Sequence, residues 1–402
     1  MLSRPALARV LQSLLAAELR AARGRAGPGA RPVPGPAGAW PDDMALGEGP
    51  PDGLGCDSLE LLWMAAAVNE MFHLHEAGAE ADLPGEARFG DWIDRVEAAW
   101  RAGAAAITLT TSGSTGRPKR CTHPVSALLT EAAVLAGLFA DRRRVVTLVP
   151  AHHAYGLIFA ALLPDALGVP HLDAAPLGPA DLARGLAPGD LVVTFPERWR
   201  WLERSLPGWP AAVEGVVSTA PCPPELVEAL RGRGLSGMTE VYGASETAGV
   251  ATRRWPEAAY GLMSHWRFAA PLDEDAPEIV DGSGRRLGLA DRIRLEAGGR
   301  FRLAGRRDGA VQVGGINVHP DRIALRLGEQ PGVAAAAVRL MRPEEGARLK
   351  AFVVPEAGAD PVRLREALTR FIGAGLPVPE RPVALTFGPR LPTGALGKAA
   401  DW

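Results

Sequence analysis

The stretch Leu109 to Arg120 reads LTTSGSTGRPKR and follows directly on the apolar, β-branched run AAITL. Hydroxyls, small residues and one lysine are thus concentrated in a single loop at the end of a strand. Gly113 and Gly116 allow backbone conformations closed to larger residues, and Ser112, Ser114 and Thr115 supply hydroxyl donors beside exposed N–H groups. Lys119 adds a positive charge. Such a loop can wrap a polyphosphate, and a strand that empties into it points to an α/β sheet with ligands at the carboxyl ends of its strands. The spacing is not that of the Walker loop. No GxxxxGK[ST] is present, and the lysine follows Pro118 instead of opening a helix after glycine.

Beyond Ala104 the texture supports that layer. Short β-branched runs, AAITLTT, RRVVTLVP (143–150), DLVVTFP (190–196) and EGVVSTA (214–220), alternate with helical stretches such as SALLTEAAVLAGLFA and ADLARGLA. Continuous apolar strands separated by helices imply a largely parallel sheet covered on both faces. Toward the end, VQVGGINVHPDRI predicts a hairpin and then a helix with Pro320 in its first turn. Strands VAAAAVRLM and LKAFVVP and a helix over 361–373 then complete a compact α+β domain.

The first hundred residues differ. Leu7, Val10, Leu11, Leu14, Leu15 and Leu19 recur at three- and four-residue spacing, which predicts a helix over residues 5–22. A Pro/Gly-rich passage from Gly24 to Gly55 predicts a long loop. In GCDSLELLWMAAAVNEMF, Asp57 or Ser58 can cap a second helix, with an apolar face of Leu59, Leu62, Ala66, Val68 and Phe72. A last helix is expected near Asp91. This order resembles an acyl carrier domain, in which the serine of the GxDSLE motif bears phosphopantetheine. The matching residue is Ser58, and a helix N-terminus suits a phosphodiester.

The glycine loop, read as TSGSTGRPK over Thr111–Lys119, resembles the [ST]SG[ST]TGxPK signature of the adenylate-forming superfamily, which holds acyl- and aryl-CoA synthetases and peptide-synthetase adenylation domains. Further motifs follow in the family's order. His153 and Gly156 match its HxxG element beside the acyl pocket, and Ser218, Thr219 and Ala220 match the turn bordering the adenine. VYGASETAG (241–249) resembles the YGxTE pattern. That resemblance implies that Tyr242 stacks on adenine with Gly243 beside it, that Ser245 contacts the α-phosphate, and that Glu246 holds magnesium. Asp291 and Arg306, fifteen positions apart, match a ribose-gripping aspartate and an arginine beside the interdomain hinge, with Asp308 as the hinge residue. Leu289 and Ala290 replace the family's usual Thr-Gly before that aspartate. LPTGALGK matches the terminal PxTxxGK, making Lys398 the lysine that contacts substrate carboxylate and nucleotide. Full-length members of the superfamily carry considerably more chain before the phosphate loop, so the large domain is abbreviated.

The resemblance implies an α/β fold of three parts: a carrier-like helical segment over 1–100, an abbreviated large AMP-binding domain over 101–304, and a small mobile α+β domain over 305–402. It also implies ATP-dependent activation of an aromatic, unsaturated or fatty acid as an acyl-adenylate, assisted by Mg2+. The acyl group then passes to a pantetheine thiol: CoA, a separate acyl carrier protein, or Ser58 itself after a phosphopantetheinyl transferase has acted. The competing reading is a catalytically inactive carrier or scaffold with a degenerate nucleotide domain, against which Lys119, Glu246 and Lys398 stand intact. Forty-four basic against 46 acidic residues leave no overall field for nucleic acid or an anionic membrane. Cys56, Cys121 and Cys222 are too few and scattered for a disulfide framework or a four-ligand zinc site, which fits a cytoplasmic protein.

Overall fold

The computed structural model of the protein describes residues 2–25, 33, 38–47, 53–80, 83–85, 88–111, 119–314, 316–342, 344–346, 348–392 and 402. The N-terminal helices are α1 (Arg4–Arg25), α2 (Ser58–Phe72) and α3 (Phe89–Arg101). All six stripe residues of α1, from Leu7 to Leu19, are buried as their spacing predicts. The face of α2 differs from the expectation: Leu59 and Leu62 are 51% and 53% exposed and Ala66 also faces outward, while Met64, Ala65, Val68, Met71 and Phe72 are buried. The helix is apolar on nearly every side, so periodicity cannot select its inner face. Its neighbours do. The Phe72 ring packs edge-on against Trp100 at 5.7 Å, and Arg23 of α1 donates to both carboxylate oxygens of Glu60 at 2.8 and 2.9 Å.

These helices do not stand apart. One apolar core runs from Leu2 through the α1 stripe, Trp92 and Phe159 to Phe301. Arg9 Nε donates to the Ala160 carbonyl at 2.8 Å, and Ser3 bonds the Asp165 carboxylate through both its N–H and its hydroxyl. The boundary expected near residue 100 therefore coincides with no break in the core.

The strand before the glycine loop also pairs differently from the expectation. β1 (Ala106–Thr111) joins β2 (Lys119–Pro124) in a separate antiparallel hairpin, with Thr108 opposite Thr122 and Thr111 opposite Lys119. The physical reason is connection length, because a parallel neighbour needs a crossover of about a dozen residues or more and residues 112–118 are too few. After α4 (Val125–Leu138) comes the main sheet, β3 (Arg144–Thr147), β4 (His171–Asp173), β5 (Asp190–Thr194), β6 (Glu214–Val217), β7 (Gly237–Ala244), β8 (Ala248–Arg254) and β9 (Gly261–Leu262). Its order is β4-β3-β5-β6-β7-β8-β9, parallel from β4 to β7 and antiparallel beyond. Successive side chains alternate between faces. Val145, Leu191, Val193 and Val216 enter the core with α4 and the helical segment 154–167, whereas Val146, Val192 and Val217 join Trp199, Leu202 and Leu230 on the other side. Both faces are covered, as the continuous apolar runs require.

From Val313 onward a separate core forms. Helices Pro320–Gly328 and Pro361–Gly375 cover a sheet of strands Val333–Leu340, Leu349–Pro355 and Pro382–Phe387. Pro320 and Pro361 both open their helices, where a missing N–H costs nothing.

Candidate active site

β7 ends in a tight turn that leads back along β8, and this turn carries the YGASE motif. The ladder bulges between Tyr242 and Gly243, and a Cβ on Gly243 would lie 2.1 Å from the Ala248 carbonyl oxygen, so only glycine fits. Thr247 holds the apex, its hydroxyl accepting from the Ala244 N–H at 3.1 Å and donating to the Ala248 carbonyl at 3.0 Å. His123, buried on β2, donates from Nε2 to the Ser245 carbonyl at 2.7 Å. Burial lowers its pKa, so it stays neutral and serves as a fixed donor. Ser245 and Glu246 are thereby presented at the carboxyl end of the sheet on a braced backbone.

Across from them Lys119, the first residue of β2, pairs with Glu246. Burial works to raise the Glu246 carboxyl, but hydrogen bonding and charge from Lys119 outweigh it, and the carboxyl is lowered. The Lys119 ammonium is raised, chiefly by the same bond. Both groups are ionised. Their side chains are 44% and 57% exposed, so the pair contributes at most about 1 kcal/mol and can part to receive a phosphate and a cation.

The remaining residues converge beside this pair. Tyr242 Oη donates to Asp291 Oδ2 at 2.9 Å, and the Tyr242 ring sits among Tyr260 at 5.8 Å and Phe301 at 6.1 Å. Burial and then the Asp291 charge push the Tyr242 hydroxyl up, so it remains a donor. Asp291 and Arg306 are direct cross-strand partners in the hairpin of Asp291–Leu295 with Phe301–Arg306, which explains their fifteen-residue separation. Arg306 forks onto Asp308 at 2.9 and 2.7 Å and holds that carboxyl down at about 2. Its positive charge also bears on Glu246, Tyr242 and Lys119.

Other expected residues lie elsewhere or do something different. His153 caps the helical segment that starts at Ala154, beyond the end of β3, and among the described residues no side-chain hydrogen bond joins it to this cluster. Gly156 of the same element is obligatory, because a Cβ there would lie 1.8 Å from the Pro150 carbonyl oxygen. Ser218 donates its hydroxyl to the Val241 carbonyl at 2.8 Å, so it ties β6 to β7, and Thr219 adopts φ 76° at the turn before Ala220. Ser58 is exposed in the first turn of α2, but the cap is Asp57, which forms a reciprocal box with Glu60. Thr111 ends β1, while Ser112, Gly113, Ser114, Thr115, Gly116 and Lys398 lie outside the described residues.

Sequence reasoning missed His123, Thr247 and Glu131. The last is the lone acid in α4, within VSALLTEAAVLAGL, and that isolation was a usable signal. It is buried, accepts from the Gly249 N–H at 3.0 Å, and is pushed up to about 7 by burial. It lines a cavity of about 440 Å³ together with His123, Thr247, His265, Trp266 and Arg285.

Comparison with known proteins gives concordant matches. The family model of AMP-binding enzymes matches residues 64–289, and that of the AMP-binding enzyme C-terminal domain matches residues 326–398. A 4-coumarate–CoA ligase of Halorhodospira halophila is 38% identical over 391 residues, spanning 97% of each chain. One of Rhodobacter capsulatus is 39% identical over 403 residues, spanning 98% of this chain and 99% of that protein. Among solved structures, an o-succinylbenzoate CoA synthetase from Bacillus subtilis superposes with a TM-score of 0.56 at 18% identity, over 73% of this chain and 67% of that one. A malonyl-CoA ligase does so at 0.53 and 21% identity, over 72% of each. Both share the fold. The two ligases are each matched over nearly their whole length.

Proposed function

Because the chain belongs to the AMP-binding enzyme family, we propose that it uses ATP to activate an aromatic, hydroxycinnamate-like carboxylic acid and transfers the acyl group to the thiol of CoA. The observation that carries this reading is the convergence at the end of β7 of the Lys119–Glu246 pair, the Tyr242–Asp291 hydrogen bond and the Arg306 charge. In the first step a substrate carboxylate oxygen attacks the α-phosphorus of ATP and pyrophosphate leaves. In the second, the CoA thiol attacks the acyl carbonyl and AMP leaves. Both anionic encounters need fixed donors and cations at the phosphates.

Each residue has a stated part. Lys119 and the preceding loop hold the β- and γ-phosphates, and Ser245, on its braced turn, donates to the α-phosphate. Tyr242 presents its ring to the adenine, and Asp291 uses the carboxylate capacity left by Tyr242 to accept from the ribose hydroxyls. Arg306 keeps a positive charge beside the nucleotide. Lys398 reaches the substrate carboxylate, and His153 borders the acyl group. A single ionised, half-exposed carboxylate suits Mg2+, which takes one or two protein carboxylates and fills its octahedron with phosphate oxygens and water. Glu246 would hold that ion, which supplies charge neutralisation at the triphosphate.

CoA is favoured over a carrier acceptor because α1 and α2 are built into the enzyme's own core and clamped by Arg23–Glu60. The 4-coumarate specificity of the two ligases, which match along nearly the whole chain, supports the aromatic class. The test is acid-dependent exchange of pyrophosphate into ATP across hydroxycinnamic, benzoic and fatty acids, followed by thioester formation with CoA. Exchange and thioester with hydroxycinnamic acids are expected to exceed those with fatty acids at least tenfold. Exchange without acid, or none with any acid, would overturn the reading.

A further inference from the structure

We infer that His73, His75 and Glu76 form a binding site for a divalent transition-metal ion of the zinc class, at the root of the hairpin that carries the phosphate loop. The three side chains each offer one ligand atom, and these atoms lie within 4.8 Å of one another. Two nitrogens and a carboxylate oxygen are a common zinc donor set, and ligands 2.0–2.2 Å from zinc stand roughly 3.4 Å apart. His75 and Glu76 are exposed and free to close the difference.

What distinguishes this cluster from a chance surface group is how each imidazole is held. A metal-ligating histidine donates its other ring N–H to an oxygen, which fixes tautomer and ring plane. His75 Nδ1 lies 3.2 Å from Asn69 Oδ1, leaving its lone pair on Nε2. The same amide oxygen accepts the His75 backbone N–H at 2.9 Å, so it is fixed in turn. His73 Nε2 lies 2.7 Å from Thr108 Oγ1, which lies 2.7 Å from Thr122 Oγ1. His73 Nδ1 lies 2.9 Å from Glu76 Oε1. A metal ion bound there would take the place of the Nδ1 proton, with Nε2–H then donating to Thr108 Oγ1 as the outer hydrogen bond.

The second consequence is positional. Thr108 and Thr122 are cross-strand partners in β1 and β2, the two strands flanking residues 112–118. The end of α2 is tied to the same hairpin again, where Arg120 Nη2 donates to Glu70 Oε2 at 3.2 Å. A metal that fixes His73 therefore stiffens the base of the loop through Thr108, independently of the magnesium-dependent chemistry at Glu246.

The test uses the full chain stripped with chelator and titrated with Zn2+ against a chromogenic zinc indicator. One equivalent is expected to bind. His75→Ala and Glu76→Gln, both at exposed positions, should each weaken binding by roughly tenfold or more while leaving far-UV circular dichroism and pyrophosphate exchange unchanged. His73→Asn, which keeps a residue tolerant of the left-handed backbone at φ 56°, should abolish it. Bound Zn2+ should also slow amide hydrogen exchange over 106–111 and 119–124. Binding by the wild type no tighter than by the His75→Ala, Glu76→Gln double variant would overturn the site. Unchanged hairpin exchange at saturation would overturn its bracing role.

Discussion

Glu131 gives a stability signature whose sign and size follow from where it sits. Its carboxyl is buried against the Gly249 N–H, and burial pushes it from the ordinary 4.5 up to about 7. Between those values the unfolded chain has released the proton while the folded chain retains it. The unfolded state then binds fewer protons, so stability falls as pH rises through this window. It is fully present below about pH 4.5 and lost by about pH 7. A displacement of about 2.5 units at 1.36 kcal/mol each amounts to about 3 kcal/mol. Glu131→Gln keeps an oxygen for Gly249 and removes the ionisation. Relative to the wild type, the variant should gain about 2–3 kcal/mol of stability between pH 5 and pH 8. Urea unfolding at the two pH values, followed by tryptophan fluorescence, measures the difference between differences, so any pH-independent cost of the amide cancels. An equal offset at both pH values would refute the reasoning.

Gly156→Ala places a methyl 1.8 Å from the Pro150 carbonyl and forces backbone apart by more than an ångström, so a loss of about 3 kcal/mol or more is expected in thermal unfolding, along with reduced acid-dependent exchange. Lys398→Ala should depress acid-dependent pyrophosphate exchange by roughly two orders of magnitude while ATP still binds; exchange at the wild-type rate would remove Lys398 from the mechanism. Ser58→Ala should change stability by less than about 0.5 kcal/mol, because Asp57 is the cap. Coexpression with a promiscuous phosphopantetheinyl transferase should add no mass to the wild-type chain, and a gain of one phosphopantetheine arm would restore a carrier acceptor.

Local pattern determined much of this protein. The stripe from Leu7 to Leu19, the prolines opening their helices, and the buried runs of β3, β5 and β6 are each set by residues within a few positions, and short-range sterics and burial suffice to read them. The motifs were legible for the same reason, since a glycine at 243 or 156 records a close approach that no other residue tolerates. Tertiary structure decided what local pattern leaves degenerate. Strand β1 is apolar enough for the main sheet, yet the short connection to β2 turned it into a separate hairpin. Helix α2 offers apolar residues on nearly every side, and tertiary neighbours such as Arg23 and Trp100 chose its inner face. The N-terminal helices carry a carrier-like order, but burial against segment 154–167 merged them into the enzyme's core. The site's electrostatics came last. Tyr242 with Asp291, Lys119 with Glu246 and Glu131 with Gly249 are pairs 49, 127 and 118 residues apart, and a charge or proton at such a place is set by neighbours that only the folded chain supplies.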